Sequence, residues 1–128
     1  MKFTVDKQER YTYLKLEEAN LNSLISPELK SEFVFYSNEG IKNLILDLSP
    51  VKYVDSSGLS AILTAERIWK GRGTFVLTGI VSDNIKKLIE ISRLNTVLTI
   101  IPTVQEAIDF ILMEEVEREL NDPNSEEG

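Results

Sequence analysis

Among its 128 residues the chain has no cysteine and no histidine. The first absence excludes disulfides and thiolate chemistry. The second removes the commonest general base and the commonest metal ligand, leaving carboxylates, lysines and hydroxyls for any catalysis. Long hydrophobic runs are missing as well. Apolar stretches are strand-sized, and the start, Met1-Lys2-Phe3-Thr4-Val5-Asp6-Lys7, has no continuous apolar core of the signal-peptide kind. The expectation is a soluble cytoplasmic protein with no membrane insertion. No Glu-x-x-His or Asp-x-Asp-x-Asp-Gly spacing occurs, so neither a metal nor a cofactor is expected. A basic stripe is also lacking. The formal charge is −7, and residues 114–128 carry seven acids against Arg118 alone. A nearly neutral body with an acidic end argues against direct nucleic-acid binding. The acidic run itself reads as a solvated, fraying terminus.

What is present is strand and helix patterning in alternation. Phe3 and Val5 alternate with polar residues, and Tyr11-Thr12-Tyr13-Leu14-Lys15-Leu16 does the same after a short charged turn. Two such runs predict an antiparallel pair. Glu17 to Leu24 is polar and irregular. Ser26-Pro27-Glu28 supplies a cap, a first-turn proline and an early acid for a helix to about Asn38, closed by Gly40. Leu44–Leu48, apolar except for Asp47, predicts a strand covered on both faces. A helix stripe runs through Gly58, Ala61, Ile62, Ala65 and Trp69, and it places Trp69 in the core. Strand Thr74–Thr78, a helix from Ser82-Asp83, strand Val97–Ile101 and a last helix from Val104 complete the order β-β-α-β-α-β-α-β-α. That order implies right-handed crossovers and a mostly parallel sheet.

The most informative stretch is Val54-Asp55-Ser56-Ser57-Gly58-Leu59, between the buried-looking strand and the stripe. A serine there sits at a helix N-terminus, where backbone N–H groups lack internal partners and the dipole favours negative charge. Such a place accepts a phosphate, or has one added and removed. Asp55 or Ser56 can equally serve as a plain N-cap. Two hydroxyls and a small Gly58 would leave the helix start open to another protein's backbone. Ser56 lacks the Gly-x-Ser-x-Gly elbow and any histidine to activate it, so hydrolysis is not expected. Gly71-Arg72-Gly73 follows a helix and precedes a strand, the reverse of a phosphate-binding loop, and reads as a cap and turn. Lys86 and Lys87, with Arg93, form a small basic group that can face an acidic partner or help neutralise a phosphate.

The segments LILDLSPVKYVDSSGLSAIL, GRGTFVLTGI and SDNIKKLIEISRLNTVLTI resemble the STAS domain, in particular the bacterial anti-sigma factor antagonists. The resemblance extends over about residues 3 to 112. It implies an α/β fold: one STAS domain over residues 1–120 with a mixed, mostly parallel four- to five-stranded sheet and about four helices. Residues 121–128 would form an acidic tail without fixed structure. It further implies a non-enzymatic partner switch. The antagonist binds an anti-sigma factor that is also a serine kinase of the GHKL ATPase type, and the sigma factor is released. The kinase phosphorylates the serine that maps to Ser56, and a PP2C-type phosphatase restores it. The candidate partner-binding residues are Asn22, Tyr53, Asp55, Ser57, Gly58, Leu59, Lys86 and Lys87. A second class, a STAS subunit bound to a transporter ATPase such as a lipid-trafficking ABC system, more often carries Asp-Thr-Ala-Gly, so Asp55-Ser56-Ser57-Gly58 favours the switch.

Two departures from the family pattern stand out. Ala19-Asn20-Leu21-Asn22 replaces the usual Gly-Glu-Leu-Asp, so Asn22 keeps hydrogen-bonding capacity without the charge. Ser92-Arg93-Leu94 replaces Ser/Thr-Gly-Leu, so Arg93 takes the place of a left-handed glycine at a cost of ~1 kcal/mol if that geometry is kept.

Overall fold

A computed structural model describes residues 1–123. The period-two segments become β1 (Phe3–Lys7) and β2 (Thr12–Leu16), an antiparallel pair with Phe3 opposite Leu16 and Val5 opposite Leu14. In chain order there follow β3 (Asn20–Leu21), α1 (Ser26–Asn38), β4 (Asn43–Asp47), β5 (Tyr53–Val54) and α2 (Ser56–Trp69). The second half comprises β6 (Thr74–Thr78), α3 (Asp83–Ile91), a 3-10 turn at Leu94–Thr96, β7 (Ile100–Ile101) and α4 (Val104–Asn121). The main sheet has the order β1-β2-β4-β6-β7 and is parallel apart from β1. β3 and β5 form a separate parallel ladder of two residues each. The mixed, mostly parallel five-stranded sheet with four helices is the architecture the sequence predicts.

The sheet is covered on both faces. Leu44, Leu46 and Leu77 pack into the larger core with residues of α1, α2 and α3, while Ile45 and Val76 meet Ala107 and Ile111 of α4. All five residues of β4 are buried, which is why its sequence shows no alternation. Trp69 is in the larger core, edge-on to Phe33 at 6.1 Å and stacked on Phe75 at 6.3 Å. Its indole N–H donates to the Ile41 carbonyl at 2.9 Å, so the buried polar tip is satisfied. At the C-terminal end of β4 the buried Asp47 carboxylate accepts from the Ser49 N–H at 2.9 Å and from the Tyr13 hydroxyl. Burial, reinforced by this carboxylate, pushes the Tyr13 phenol far above its ordinary value.

Several local expectations are corrected. Ser26 does not cap α1. It is the first helical residue and is buried, and its hydroxyl donates to the Asn22 carbonyl at 2.7 Å. The last strand is Ile100–Ile101, shorter than Val97–Ile101, because the N–H groups of Val97 and Leu98 turn back to the Leu94 carbonyl and parallel pairing to β6 begins only at Leu77↔Ile100. Pro102, lacking an N–H, follows at once. The acidic run does not fray from its start. α4 extends to Asn121, and Glu115 accepts from the Arg10 guanidinium at 2.8 Å and from the Asn43 amide. Asn43 also donates to the Arg10 carbonyl at 2.8 Å and accepts from the Thr74 N–H at 3.0 Å. Arg118 reaches the Thr74 hydroxyl. Of the expected tail, residues 124–128 lie outside the described residues. No described helix is long and apolar enough to cross a membrane.

Arg93 adopts the left-handed conformation its position demands, with φ 56° and ψ 27°, and is the one non-glycine residue with positive φ among the described residues. Its N–H donates to the Glu90 carbonyl at 3.1 Å, closing α3 as a glycine would. Arg93→Gly should therefore raise stability by ~0.5–1 kcal/mol, read as a higher urea midpoint at unchanged slope. A lower midpoint would show that the arginine side chain contributes more than its backbone strain costs.

Candidate functional site

The floor of the site is backbone. Asn20 stands opposite Tyr53 and Leu21 opposite Val54 in the β3–β5 ladder. The Ala19 carbonyl accepts from the N–H groups of Lys52 and Tyr53 at 2.8 and 3.2 Å, and the Leu21 carbonyl accepts from the Asp55 N–H at 3.2 Å. The departing segment 19–22 is thus the direct neighbour of the residues that lead into α2. Asn22 turns the chain into α1. Its side-chain oxygen accepts from the Leu24 N–H at 3.0 Å, and its carbonyl accepts from the N–H groups of Ile25 and Ser26. An amide oxygen makes this turn as well as a carboxylate would. Asn22 keeps the local geometry while removing one negative charge.

α2 starts with Asp55 as its N-cap. The residue is extended, its carboxylate accepts from the Gly58 N–H at 2.9 Å, and its carbonyl accepts from the Leu59 N–H at 3.0 Å. Of the four N–H groups that a helix start leaves without an intrahelical partner, two are used: that of Gly58 by the Asp55 carboxylate and that of Asp55 by the Leu21 carbonyl. Those of Ser56 and Ser57 remain at the end where the dipole favours an anion.

Gly58 is buried, and its smallness serves the chain's own packing. A Cβ there would lie 2.5 Å from the Leu21 carbonyl oxygen and 2.7 Å from a Val54 methyl. This corrects the expectation that Gly58 leaves room for a foreign backbone, since β3 already occupies that room. Leu59 is half-buried and packs against the larger core.

Ser56 and Asp55 are exposed and Ser57 is half-buried. Ser56, Ser57 and Ser60 line one wall of an open cleft of about 460 Å³, and Ser23, Ser26, Pro27 and Lys30 line the other. The cleft lies between the starts of α1 and α2, which pack side by side. Its one charged lining residue is Lys30, whose ammonium donates to the Ser60 hydroxyl at 3.1 Å. Two large apolar side chains stand exposed on the same end of the molecule, Tyr53 at 59% and Leu24 at 86%.

The structure does not bring Lys86 and Lys87 into this cleft. Ser82 caps α3 and donates its hydroxyl to the Lys52 carbonyl at 2.6 Å, which docks α3 beside β5. Both lysines are exposed, and Lys86 lines a separate groove with Ile80, Val81, Ile89 and Pro102. Lys30, Ser23, Ser60 and Leu24 are absent from the sequence-derived set. Lys30 and Ser60 look like solvated helix positions until α1 and α2 are laid together. Leu24 alone carried a signal, an apolar residue off any period in a polar segment. Among the described residues no cluster of three or more acids is placed to hold a metal.

A family model described as the STAS domain matches residues 2–107, so the chain belongs to the STAS domain family. Solved structures agree on the fold. An anti-sigma factor antagonist from Mycobacterium paratuberculosis superposes with a TM-score of 0.77 at 15% identity, covering 86% of this chain and 92% of that one. The Bacillus cell fate determinant SpoIIAA in its phosphorylated form gives 0.66 at 19%, covering 86% and 99%. A sulfate transporter family protein from Wolinella succinogenes gives 0.69 at 18%, covering 86% and 90%.

Two substitutions separate the roles of the helix start. Gly58→Ala forces a side chain against the Leu21 carbonyl and should lower stability by ~1–3 kcal/mol. Asp55→Ala removes only the cap and should lower it by ~1 kcal/mol. Urea unfolding of both variants checks the order, and an Asp55→Ala loss larger than that of Gly58→Ala would contradict the packing account.

Proposed function

We propose that this chain is a non-enzymatic anti-sigma factor antagonist switched by phosphorylation of Ser56. The observation that carries the reading is the exposed Ser56 hydroxyl, set at the start of α2 by a capped and laddered backbone beside an open cleft. Membership of the STAS family and the fold shared with a phosphorylated SpoIIAA support it. The partner is an anti-sigma factor with serine-kinase activity, and binding it frees the sigma factor for transcription in the cytoplasm. Tyr53 and Leu24 are the apolar anchors of that surface. Asp55, Ser57 and Asn22 form its polar part, and Lys86 and Lys87 extend it along α3.

The switch is electrostatic. The kinase transfers the terminal phosphoryl group of a nucleoside triphosphate to the Ser56 oxygen. The oxygen–phosphorus bond forms as the anhydride bond breaks, and the hydroxyl proton leaves to a base of the kinase. About two negative charges then stand beside Asp55 at the centre of the contact. Repulsion and desolvation release the partner. A PP2C-type phosphatase hydrolyses the ester and resets the chain.

Incubation with candidate anti-sigma kinases and ATP, followed by mass spectrometry, should place one phosphate on Ser56 and none on Ser56→Ala. Ser56→Asp should weaken anti-sigma factor binding about a hundredfold, a shift of about 2.7 kcal/mol, while Ser56→Ala keeps wild-type affinity by calorimetry. Labelling of Ser56→Ala equal to wild type would remove the site. Equal affinities of the aspartate and alanine variants would remove the switch.

A further inference from the structure

We propose that Lys30 is the internal counter-cation of phosphorylated Ser56, so that the modification triggers a rearrangement within the chain as well as adding charge. The inference rests on the reading of Ser56 as the modified residue and names how that site is regulated. Its basis is the composition of the cleft. Six of the seven lining residues are neutral, five of them serines, and Lys30 is the seventh. No carboxylate of the described residues pairs with Lys30. Glu28 and Glu32 each stand two positions from it in α1 and so do not share its face, and Glu28 is held by the amino terminus of Met1 at 3.4 Å. The partner that Lys30 does have is a neutral hydroxyl, Ser60 Oγ, at 3.1 Å. A half-buried lysine whose ammonium rests on a neutral acceptor is poised to exchange it for a charged one.

Reach favours the exchange. Ser56 and Ser60 are four residues apart on α2, hence on one face and about 6 Å apart along its axis. Lys30 approaches from α1 with its ammonium already over Ser60, and its flexible stem carries three donors. Rotation about its last torsions carries the ammonium toward Ser56, where an ester would project oxygens from the cleft wall. Asp55, the carboxylate beside that ester, is tied through one oxygen to the Gly58 N–H. Lys30 is the lining group that can offset both anions. Phosphorylation would then release Ser60 from Lys30 and hold the phosphate against α1, changing the surface a partner meets on both walls of the cleft.

The test uses the full chain with phosphoserine installed at position 56 during translation, and follows its second ionisation by 31P NMR titration. A cation in contact favours the dianion, so the wild-type value should lie below that of Lys30→Gln by about 0.2–0.7 unit. Lys30→Arg should keep the low value. Lys42→Gln, at the far end of β4, should leave it unmoved. Lys30→Met retains the apolar stem and serves if the glutamine variant melts early. Identical ionisation in wild type, Lys30→Gln and Lys30→Met overturns the pairing, as does an equal shift from Lys42→Gln. Because the phosphate is installed without a kinase, a kinase that ignores Ser56 defeats the switch and leaves this titration readable. An unshifted phosphate defeats the pairing and leaves the labelling result standing.

Discussion

The functional end of this molecule depends on a parallel backbone contact of two residues per side, Asn20–Leu21 against Tyr53–Val54. The Leu21 carbonyl receives the Asp55 N–H and also sits where a side chain on Gly58 would have to go. One peptide group thus fixes both the residue that caps α2 and the residue that lets α2 close onto the sheet. Buried peptide groups need partners, and here the requirement is met by joining the loop after β2 to the loop after β4. The position of Ser56 is inherited from that junction. Its own side chain contributes nothing to it.

Where burial dictates composition, the fold could be read directly. β4 and β6 lie between two layers and show continuous apolar residues, and the stripe of α2 ends at Trp69 where the indole meets Phe33 and Phe75. Arg93 illustrates a subtler legibility. Its backbone geometry followed from the family pattern, because the turn that closes α3 demands positive φ whatever residue stands there. A cap at Asp55 or Ser56 was legible for a similar reason, since capping chemistry is local to a few residues, and the structure assigns it to Asp55.

What could not be read depends on contacts distant in sequence. β3 and β5, of two residues each, are too short to carry a period. Ser26 offered a cap, but the turn organised by Asn22 moved the helix start and turned its hydroxyl inward. Lys30 enters the cleft only because α1 packs on α2, thirty positions away in the chain. Glu115 belonged to an acidic run that looked solvated, and only the meeting of β2, β4 and α4 gives it Arg10 and Asn43. The basic pair Lys86-Lys87 was the opposite case, a conspicuous charge signal that the topology carries away from the serines.

The covering of the second sheet face by α4 has a consequence for biosynthesis. Ile45 and Val76 emerge from the ribosome well before Ala107 and Ile111, the helix residues that bury them. The nascent chain therefore holds an uncovered apolar sheet surface until its last helix is released, a period when such surfaces attract one another or a chaperone. Arg10, at the turn between β1 and β2, waits for Glu115, and their union joins that hairpin to a helix made 105 positions later.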